Sequence, residues 1–273
     1  MVLGLGAAVL AAVCYGVASV VQAVGVRRAM GVPAAASVLT RLLAGRWYVV
    51  GLALDGLGFL ASLAALRTLP LFLVQTTVAA SVGVTALLAA AFLGVRLTRA
   101  QVVALVALAI GLVALGTSAP AGASRGLPVS GELFLLGGLP PLVLVTFAAA
   151  RRRAGWCFPV LAVAAGLGFA GVAISARVLV LPRPLWRVLA EPPLWSLAGY
   201  GVQSTVGYAS ALAKGSVTTA TALALVVETT VPGAVGLAFL GDRFRSGFGL
   251  VALAGFLLAL GGCLRLAGAA QPA

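Results

Sequence analysis

The chain alternates long apolar segments with short polar breaks. Nine segments each hold roughly 20 mainly apolar residues, the length of helix that crosses a hydrocarbon layer of about 30 Å. They cover residues 2–25, 47–66, 71–94, 99–117, 132–150, 157–181, 194–213, 217–240 and 248–267. The pattern predicts an all-α integral membrane protein with nine spans.

A tenth apolar stretch, at residues 33–45, is shorter and contains Arg41. As a helix it would measure about 20 Å at roughly 1.5 Å per residue, which is too short to cross the bilayer upright. We therefore expect a short helix that lies in the interface or enters the membrane part-way. If this stretch does span the membrane, the count rises to ten.

The basic residues favour the nine-span arrangement. With the N-terminus outside, eleven arginine and lysine residues fall on the cytoplasmic side and seven fall outside. A ten-span arrangement with the N-terminus inside divides them nine and nine. Because cytoplasmic loops carry the excess of arginine and lysine, we expect an outside N-terminus and a cytoplasmic C-terminus.

Composition supports a membrane location. The 273 residues are 62% hydrophobic and 8% charged, with a mean hydropathy of +1.18, and a water-soluble fold cannot bury so much apolar surface. The net charge of +13 lies mostly between the spans, where it marks topology rather than a nucleic-acid surface. Abundant alanine, glycine and arginine indicate a GC-rich bacterial genome, and hence a bacterial plasma membrane.

Residues for catalysis are sparse. The chain has no histidine, its three cysteines lack paired spacing, and Lys214 does not belong to a phosphate-binding loop. We therefore expect no enzyme activity, no cofactor and no metal cluster. Energy for any transport would have to come from an ion gradient or a partner.

An internal repeat divides the chain. The pattern Ala-Phe-Leu-Gly-x-Arg ends at Arg96 and again, 147 positions later, at Arg243. Residues 118–131 form the predicted linker between a first membrane half (1–117) and a second (132–273). In the nine-span arrangement, corresponding spans of the halves run in opposite directions, which is the inverted-topology design of many secondary transporters.

Several motifs resemble the drug/metabolite transporter superfamily of the EamA type. The sequence Leu-Pro-Leu-Phe-Leu-Val-Gln at 69–75 resembles the fourth helix of that family, and Val-Glu-Thr-Thr-Val-Pro at 227–232 resembles the ninth. The usual family turn, Gly-Glu-Arg, is Gly-Val-Arg at 94–96 and Gly-Asp-Arg at 241–243. The resemblance implies two inverted repeats of helices and a secondary transporter of a small solute.

Where the chain departs from the general family pattern, it is similar to one subgroup of the superfamily. A long first loop with a shortened second helix, followed by a span that starts at Trp47-Tyr48, is similar to the NIPA-type magnesium transporters of the same superfamily. This resemblance makes magnesium the alternative substrate, with Glu228 and Asp55 as its ligands. Because members of the superfamily carry very different cargoes, the resemblance gives the class of protein and not the solute.

Two of the five acidic residues lie deep in predicted spans. An ionised carboxylate there costs roughly 2.5–3.5 kcal/mol, so it normally faces a cavity or a partner. Glu228 lies midway along its span, and Pro232, four residues later, cannot donate a hydrogen bond to its carbonyl. We interpret Glu228 as a proton or cation site. The alternative is a neutral acid that joins two helices through one hydrogen bond.

Asp55 is the second candidate. It shares a small, polar helix face with Gly51, Gly58 and Ser62, where another helix can approach closely. It either belongs to the solute site or pairs with an arginine or a glutamine inside the bundle.

Other polar residues follow the helical period within predicted spans, and Ser81 aligns with Glu228 in the repeat. Each either lines a solute path or joins helices through hydrogen bonds. These candidates are Tyr15, Gln22, Gln75, Ser81, Tyr200 and Gln203.

The sequence thus predicts a secondary transporter that works by alternating access and is coupled to protons or another ion. A magnesium permease and a membrane scaffold without transport are the alternatives. The expected partners are the lipid bilayer and a small solute, and no nucleic acid. Glycine-rich faces fit either a monomer or a homodimer.

Overall fold

A computed structural model describes residues 2–30, 38–93, 96–119, 129–152, 154–179, 182 and 184–269. Over these residues the regular secondary structure is entirely helical, and a short 3-10 helix, Leu185–Ala190, precedes α8. The helices are α1 (Val2–Met30), α2 (Val38–Ala65), α3 (Leu71–Ala79), α4 (Ser81–Leu93), α5 (Arg99–Ser118), α6 (Val129–Arg151), α7 (Cys157–Val178), α8 (Pro192–Leu212), α9 (Val217–Phe239) and α10 (Gly249–Ala269).

Seven stretches of helix in the described residues are long and apolar enough to cross a membrane. They are α1, α3 with α4, α5, α6, α7, α9 and α10. α2 adds a shorter apolar stretch, Val49–Ala65, and α8 is a 21-residue helix that carries more polar side chains. Since all nine predicted segments are helical, the prediction of an all-α chain with several helices able to cross a membrane is confirmed over the described residues, and nine spans are consistent with the structure.

The structure differs from the predicted short helix at residues 33–45. Residues 38–45 are the first part of α2, which continues without interruption to Ala65. α2 contains no proline, so nothing in its backbone forces a break between the predicted helix and the following span. Residues 33–37 lie outside the described part of the chain, as does most of the predicted linker at 118–131.

The predicted span 71–94 is divided at Ala80 into α3 and α4. Just before the break, the hydroxyls of Thr76 and Thr77 donate to the carbonyls of Phe72 and Leu73, each at 2.7 Å. Hydroxyl groups that bond back to the preceding turn compete with the helical ladder and bend it. The same bond is made by Thr229 inside α9, which is not broken, so the threonine pair accompanies the break but does not by itself explain it.

Several helix pairs organise the bundle. α1 packs along α2 and α4, while α7 packs along α8 and α9. The most extensive contacts between the two predicted halves are those of α5 with α10 and of α3 with α9. The central helix α3 is almost completely buried, from Leu71 through Thr77. α3 therefore lies in the interior of the bundle, where it contacts helices of both predicted halves, chiefly α1 and α9.

The contact between α5 and α10 depends on glycine residues, which have no side chain to separate the two backbones. A Cβ atom on Gly111 of α5 would lie 2.5 Å from the backbone nitrogen of Ala259 and 2.5 Å from the carbonyl oxygen of Gly255, both in α10. Small residues of this kind allow helix backbones to approach closely in a membrane, where lipid supplies no hydrophobic force between helices.

We expect Gly111→Ala to destabilise the protein by about 1–3 kcal/mol, because the added methyl group forces the two backbones apart. Gly116→Ala is the matched control on the same helix, since a Cβ at Gly116 meets nothing within 4 Å. The control should be neutral or stabilising by up to about 1 kcal/mol, through helix propensity. Equilibrium unfolding in mixed micelles measures both, and equal behaviour of the two variants would contradict this account.

Candidate functional site

A cavity of about 900 Å³ lies between the two halves of the bundle. Side chains of α1, α2, α3 and α4 line it from the first half, and side chains of α7, α8 and α9 line it from the second. Most of its wall is aliphatic or aromatic. The polar residues in the wall are Tyr15, Ser62, Gln75, Ser81, Ser204, Thr205 and Glu228.

Glu228 is the acid of this cavity. It lies in the middle of α9. Over the residues that the structure describes, its carboxyl group accepts no hydrogen bond and forms no ion pair. The other acids of the bundle interior differ, because Asp55 is bonded to Gln22 and Asp242 is paired with Arg177. Pro232 lies within α9 and has no N–H for the carbonyl of Glu228. Over the described residues, no protein group would have to be displaced from the Glu228 carboxyl group before another group could contact it.

Gln75 and Ser81 line the cavity from the two sides of the helix break. The Gln75 side chain is 8% exposed and has no hydrogen-bond partner among the described residues. A buried amide without a partner is costly, so it is expected to bond to water or to a ligand. The cavity therefore holds a second unsatisfied polar group in addition to Glu228.

Tyr15 of α1 also lines the cavity. Its ring packs against Gly58 of α2, where a Cβ atom would lie 3.3 Å from the ring carbons. The small residue at position 58 thus makes room for the tyrosine. Of the eight predicted site residues, the structure brings four to the cavity, namely Glu228, Gln75, Ser81 and Tyr15.

Asp55 and Gln22 do not line the cavity. The amide of Gln22 in α1 donates to a carboxylate oxygen of Asp55 in α2. Gly51 allows this contact, because a Cβ there would lie 2.4 Å from the Cγ atom of Gln22. This geometry matches the alternative in which the acid pairs with a glutamine. The two acids proposed as magnesium ligands have different surroundings, and the described residues contain no cluster of three or more acidic, histidine or cysteine side chains.

Gln203 and Tyr200 of α8 also lie outside the cavity. The Gln203 amide donates to the hydroxyl of Thr146 in α6 at 2.9 Å and to the carbonyl of Ala164 in α7 at 3.2 Å. The Tyr200 hydroxyl donates to the carbonyl of Leu135 in α6 at 2.8 Å. Both residues therefore join helices of the second half.

The hydroxyl-bearing residues of α8 that do reach the cavity were missed by the sequence analysis. They are Ser204 and Thr205, whose hydroxyls both bond to the carbonyl of Gly201 on the same helix face. Sequence periodicity identified the neighbouring face with Tyr200 and Gln203 because its side chains are larger and more polar. The signal for the correct face was the small-residue set at 201, 204 and 205.

A buried ionic network adjoins the cavity beside Leu66. Arg177, in the last turn of α7, donates to the carbonyls of Leu66 and Leu69 and pairs with Asp242 at 2.9 Å. The second oxygen of Asp242 accepts the amide N–H of Leu71 at 2.7 Å, at the start of α3. This network, called here the Arg177 network, joins the α2–α3 turn of the first half to α7 and the turn after α9.

The turn at Gly241, which belongs to the second copy of the sequence repeat, helps to position Asp242. Gly241 has a φ of 74°, in the left-handed region that glycine adopts freely, and it ends α9 just before the acid. A Cβ on Gly236 would lie 2.4 Å from the Asp242 carboxylate. The equivalent turn of the first copy, at Gly94-Val95, lies outside the described residues.

Arg67 extends the connection between the halves. Its guanidinium donates to the carbonyl of Leu179, just after α7. Burial lowers the pKa of Arg67 from its ordinary value, but arginine stays protonated throughout the physiological range. The α2–α3 turn is thus fixed to the second half by two arginines.

Comparison of the chain with protein-family models, with curated proteins and with solved structures gives no match. The resemblance to the drug/metabolite transporter superfamily therefore remains an expectation from the motifs.

We expect Arg177→Gln to destabilise the protein by about 3–5 kcal/mol, because Asp242 is then left buried without its charged partner. The Arg177 and Asp242 side chains are only 2% and 4% exposed, so water cannot replace the lost pair. Arg187→Gln is the control, since Arg187 is exposed in the 3-10 helix that follows α7. Thermal unfolding in detergent measures the Tm of both variants. A Tm for Arg177→Gln equal to that of Arg187→Gln would contradict a stabilising role of the Arg177 network.

Proposed function

We propose that this chain is a secondary transporter of the drug/metabolite transporter type, which moves a small solute by alternating access with proton or ion coupling. The observation that carries the proposal is the unpaired carboxyl of Glu228 in a cavity that both halves line. Unpaired acids inside membrane proteins are costly, and they mark ion and substrate pathways. Glu228 is therefore the proposed coupling site, with Gln75, Ser81 and Tyr15 around it.

The packing of the halves supports the inverted-repeat part of the proposal. The predicted repeat counterparts α3–α4 and α9 contribute Ser81 and Glu228, which align in the repeat, to the same cavity. The counterparts α5 and α10 pack against each other, as two units related by a pseudo-two-fold axis would. In our proposal the two units rock about the central cavity, in a bacterial plasma membrane, with the N-terminus outside and the C-terminus in the cytoplasm.

A magnesium permease is the second candidate. The cavity offers the carboxylate, amide and hydroxyl oxygens that Mg²⁺ prefers, and its volume leaves room for an ion that keeps several waters. Asp55 takes no direct part in this version, because its carboxylate is bonded to Gln22 outside the cavity.

Uptake by proteoliposomes tests the proposal, with Mg²⁺ and a panel of metabolites as candidate solutes under an imposed proton or sodium gradient. Wild type should accumulate a solute, and Glu228→Gln should lose at least about tenfold in rate, equivalent to roughly 1.4 kcal/mol. Asp55→Asn is the matched acid control, because asparagine can still accept the Gln22 hydrogen bond. The control should keep a rate within about threefold of wild type, which is roughly 0.7 kcal/mol.

The outcomes separate the alternatives. Magnesium uptake that depends on Glu228 would favour the permease, and gradient-driven uptake of an organic solute would favour the carrier. Equal behaviour of wild type and Glu228→Gln across every solute would overturn both and leave the scaffold interpretation.

A further inference from the structure

A groove of about 540 Å³ lies between α6 and α8. Its wall is mainly apolar and includes exposed side chains, and the buried Thr146 and Gln203, which bond to each other at 2.9 Å, join the two helices at its base. On α6 it extends from Leu139 to Ala150, which is about 16 Å at roughly 1.5 Å per residue. This length is close to half of a hydrocarbon layer of about 30 Å, and hence to one leaflet. We call it the α6–α8 groove.

The α6–α8 groove has a basic end. It ends on α6 at Ala150, directly before Arg151 and Arg152, and Lys214 follows the end of α8. The Lys214 ammonium donates to the carbonyl of Arg152, so the cation of α8 is held next to those of α6. The Arg151 guanidinium lies 3.8 Å from the centre of the Phe147 ring, and Phe147 itself lines the groove. Three cationic groups therefore converge at one end of an apolar groove.

The acids of this helix pair lie at the other end of the groove. Glu132 is in the first turn of α6, and Glu191 directly precedes α8. Over the described part of the chain, none of the three cations forms an ion pair with a carboxylate. The topology predicted from the sequence places the basic end on the cytoplasmic side. Basic pockets between membrane helices on that side attract anionic lipid head groups.

We propose that the α6–α8 groove is a binding site for an anionic phospholipid of the bilayer. The lipid phosphate contacts Arg151, Arg152 and Lys214, and one acyl chain lies along the apolar wall toward Leu139. The cationic end selects for a negative head group, and the groove selects for a molecule that carries a chain. The site belongs to the second half alone, so the inference does not rest on the proposed transport function.

Lipid titration tests the head group and the chain separately. Delipidated protein in detergent is titrated with dioleoylphosphatidylglycerol or dioleoylphosphatidylcholine, and native mass spectrometry counts the bound lipids. The two lipids have the same chains, and phosphatidylglycerol should bind at least about tenfold more tightly. Glycerol 1-phosphate, which is a head group without chains, should not compete at millimolar concentration. Equal binding of the two lipids, or competition by glycerol 1-phosphate, would overturn the proposal.

Charge variants test the basic end. Arg151→Gln should weaken phosphatidylglycerol binding at least about fivefold, because each basic residue near a lipid surface contributes to the attraction. Arg151→Lys keeps the charge and should bind within about twofold of wild type. Arg96→Gln is the matched control, since Arg96 is also exposed and is predicted on the same side of the membrane but does not border the groove. An equal loss in Arg151→Gln and Arg96→Gln would reduce the effect to general charge attraction and overturn the site.

Filling the groove tests where the chain lies. Val143→Trp places a large ring in the groove, and Leu144→Trp is the control, because Leu144 is exposed on the same helix but does not line the groove. Val143→Trp should weaken phosphatidylglycerol binding at least about fivefold, and Leu144→Trp should match wild type within about twofold. Equal binding by the two variants would overturn the placement of the chain in the groove.

Failure of this inference is distinguishable from failure of the proposed function. Glu228→Gln leaves the groove intact, so it should bind phosphatidylglycerol like wild type even where it abolishes uptake. Loss of lipid selectivity with normal uptake would overturn the lipid site alone. Selective lipid binding by a protein that moves no solute would confirm the lipid site and contradict transport.

Discussion

The structure depends on one constraint, which is that a polar group in hydrocarbon must find its partner inside the protein. The Arg177 network obeys it, because the guanidinium and the Asp242 carboxylate bond to each other and to backbone groups of the α2–α3 turn and α3. Gln22 and Asp55 obey it as a pair. The Gln203 amide nitrogen obeys it through α6 and α7, whereas the Gln203 Oε1 atom is buried with no hydrogen-bond partner among the described residues. Glu228 and Gln75 have no such partner, and both face the cavity. The site is thus distinguished by two features together, a polar side chain without a hydrogen-bond partner and its position in the cavity wall.

The sequence predicted the helices well, because apolar length is a strong signal in a chain that must match a bilayer. All nine segments are helical, and their bounds are close to the predicted ones. Two bounds differ from the predicted ones. One predicted span is divided at Ala80 into α3 and α4, and residues 38–45 belong to α2 instead of a separate short helix.

The site was harder to predict, because a polar residue in a span looks the same in sequence whether it lines a cavity or joins two helices. Glu228, Gln75, Ser81 and Tyr15 line the cavity, while Asp55 is paired within the first half. The difference lies in the neighbours, since a glycine at position 51 brings Gln22 onto Asp55. No periodicity along a single helix contains that information. On α8, the larger polar side chains of Tyr200 and Gln203 likewise drew the prediction to their face of the helix, although the face with Ser204 and Thr205 lines the cavity.

The Asp242–Leu71 hydrogen bond has a consequence for the order of assembly. Pro70 precedes α3 and supplies no side-chain cap, so the first amide of α3 finds its acceptor 171 residues further along the chain. During synthesis, this partner does not exist until α9 has left the ribosome. The helix that positions Gln75 therefore lacks this acceptor until late in translation, and the first half cannot complete this contact until the second half has been made.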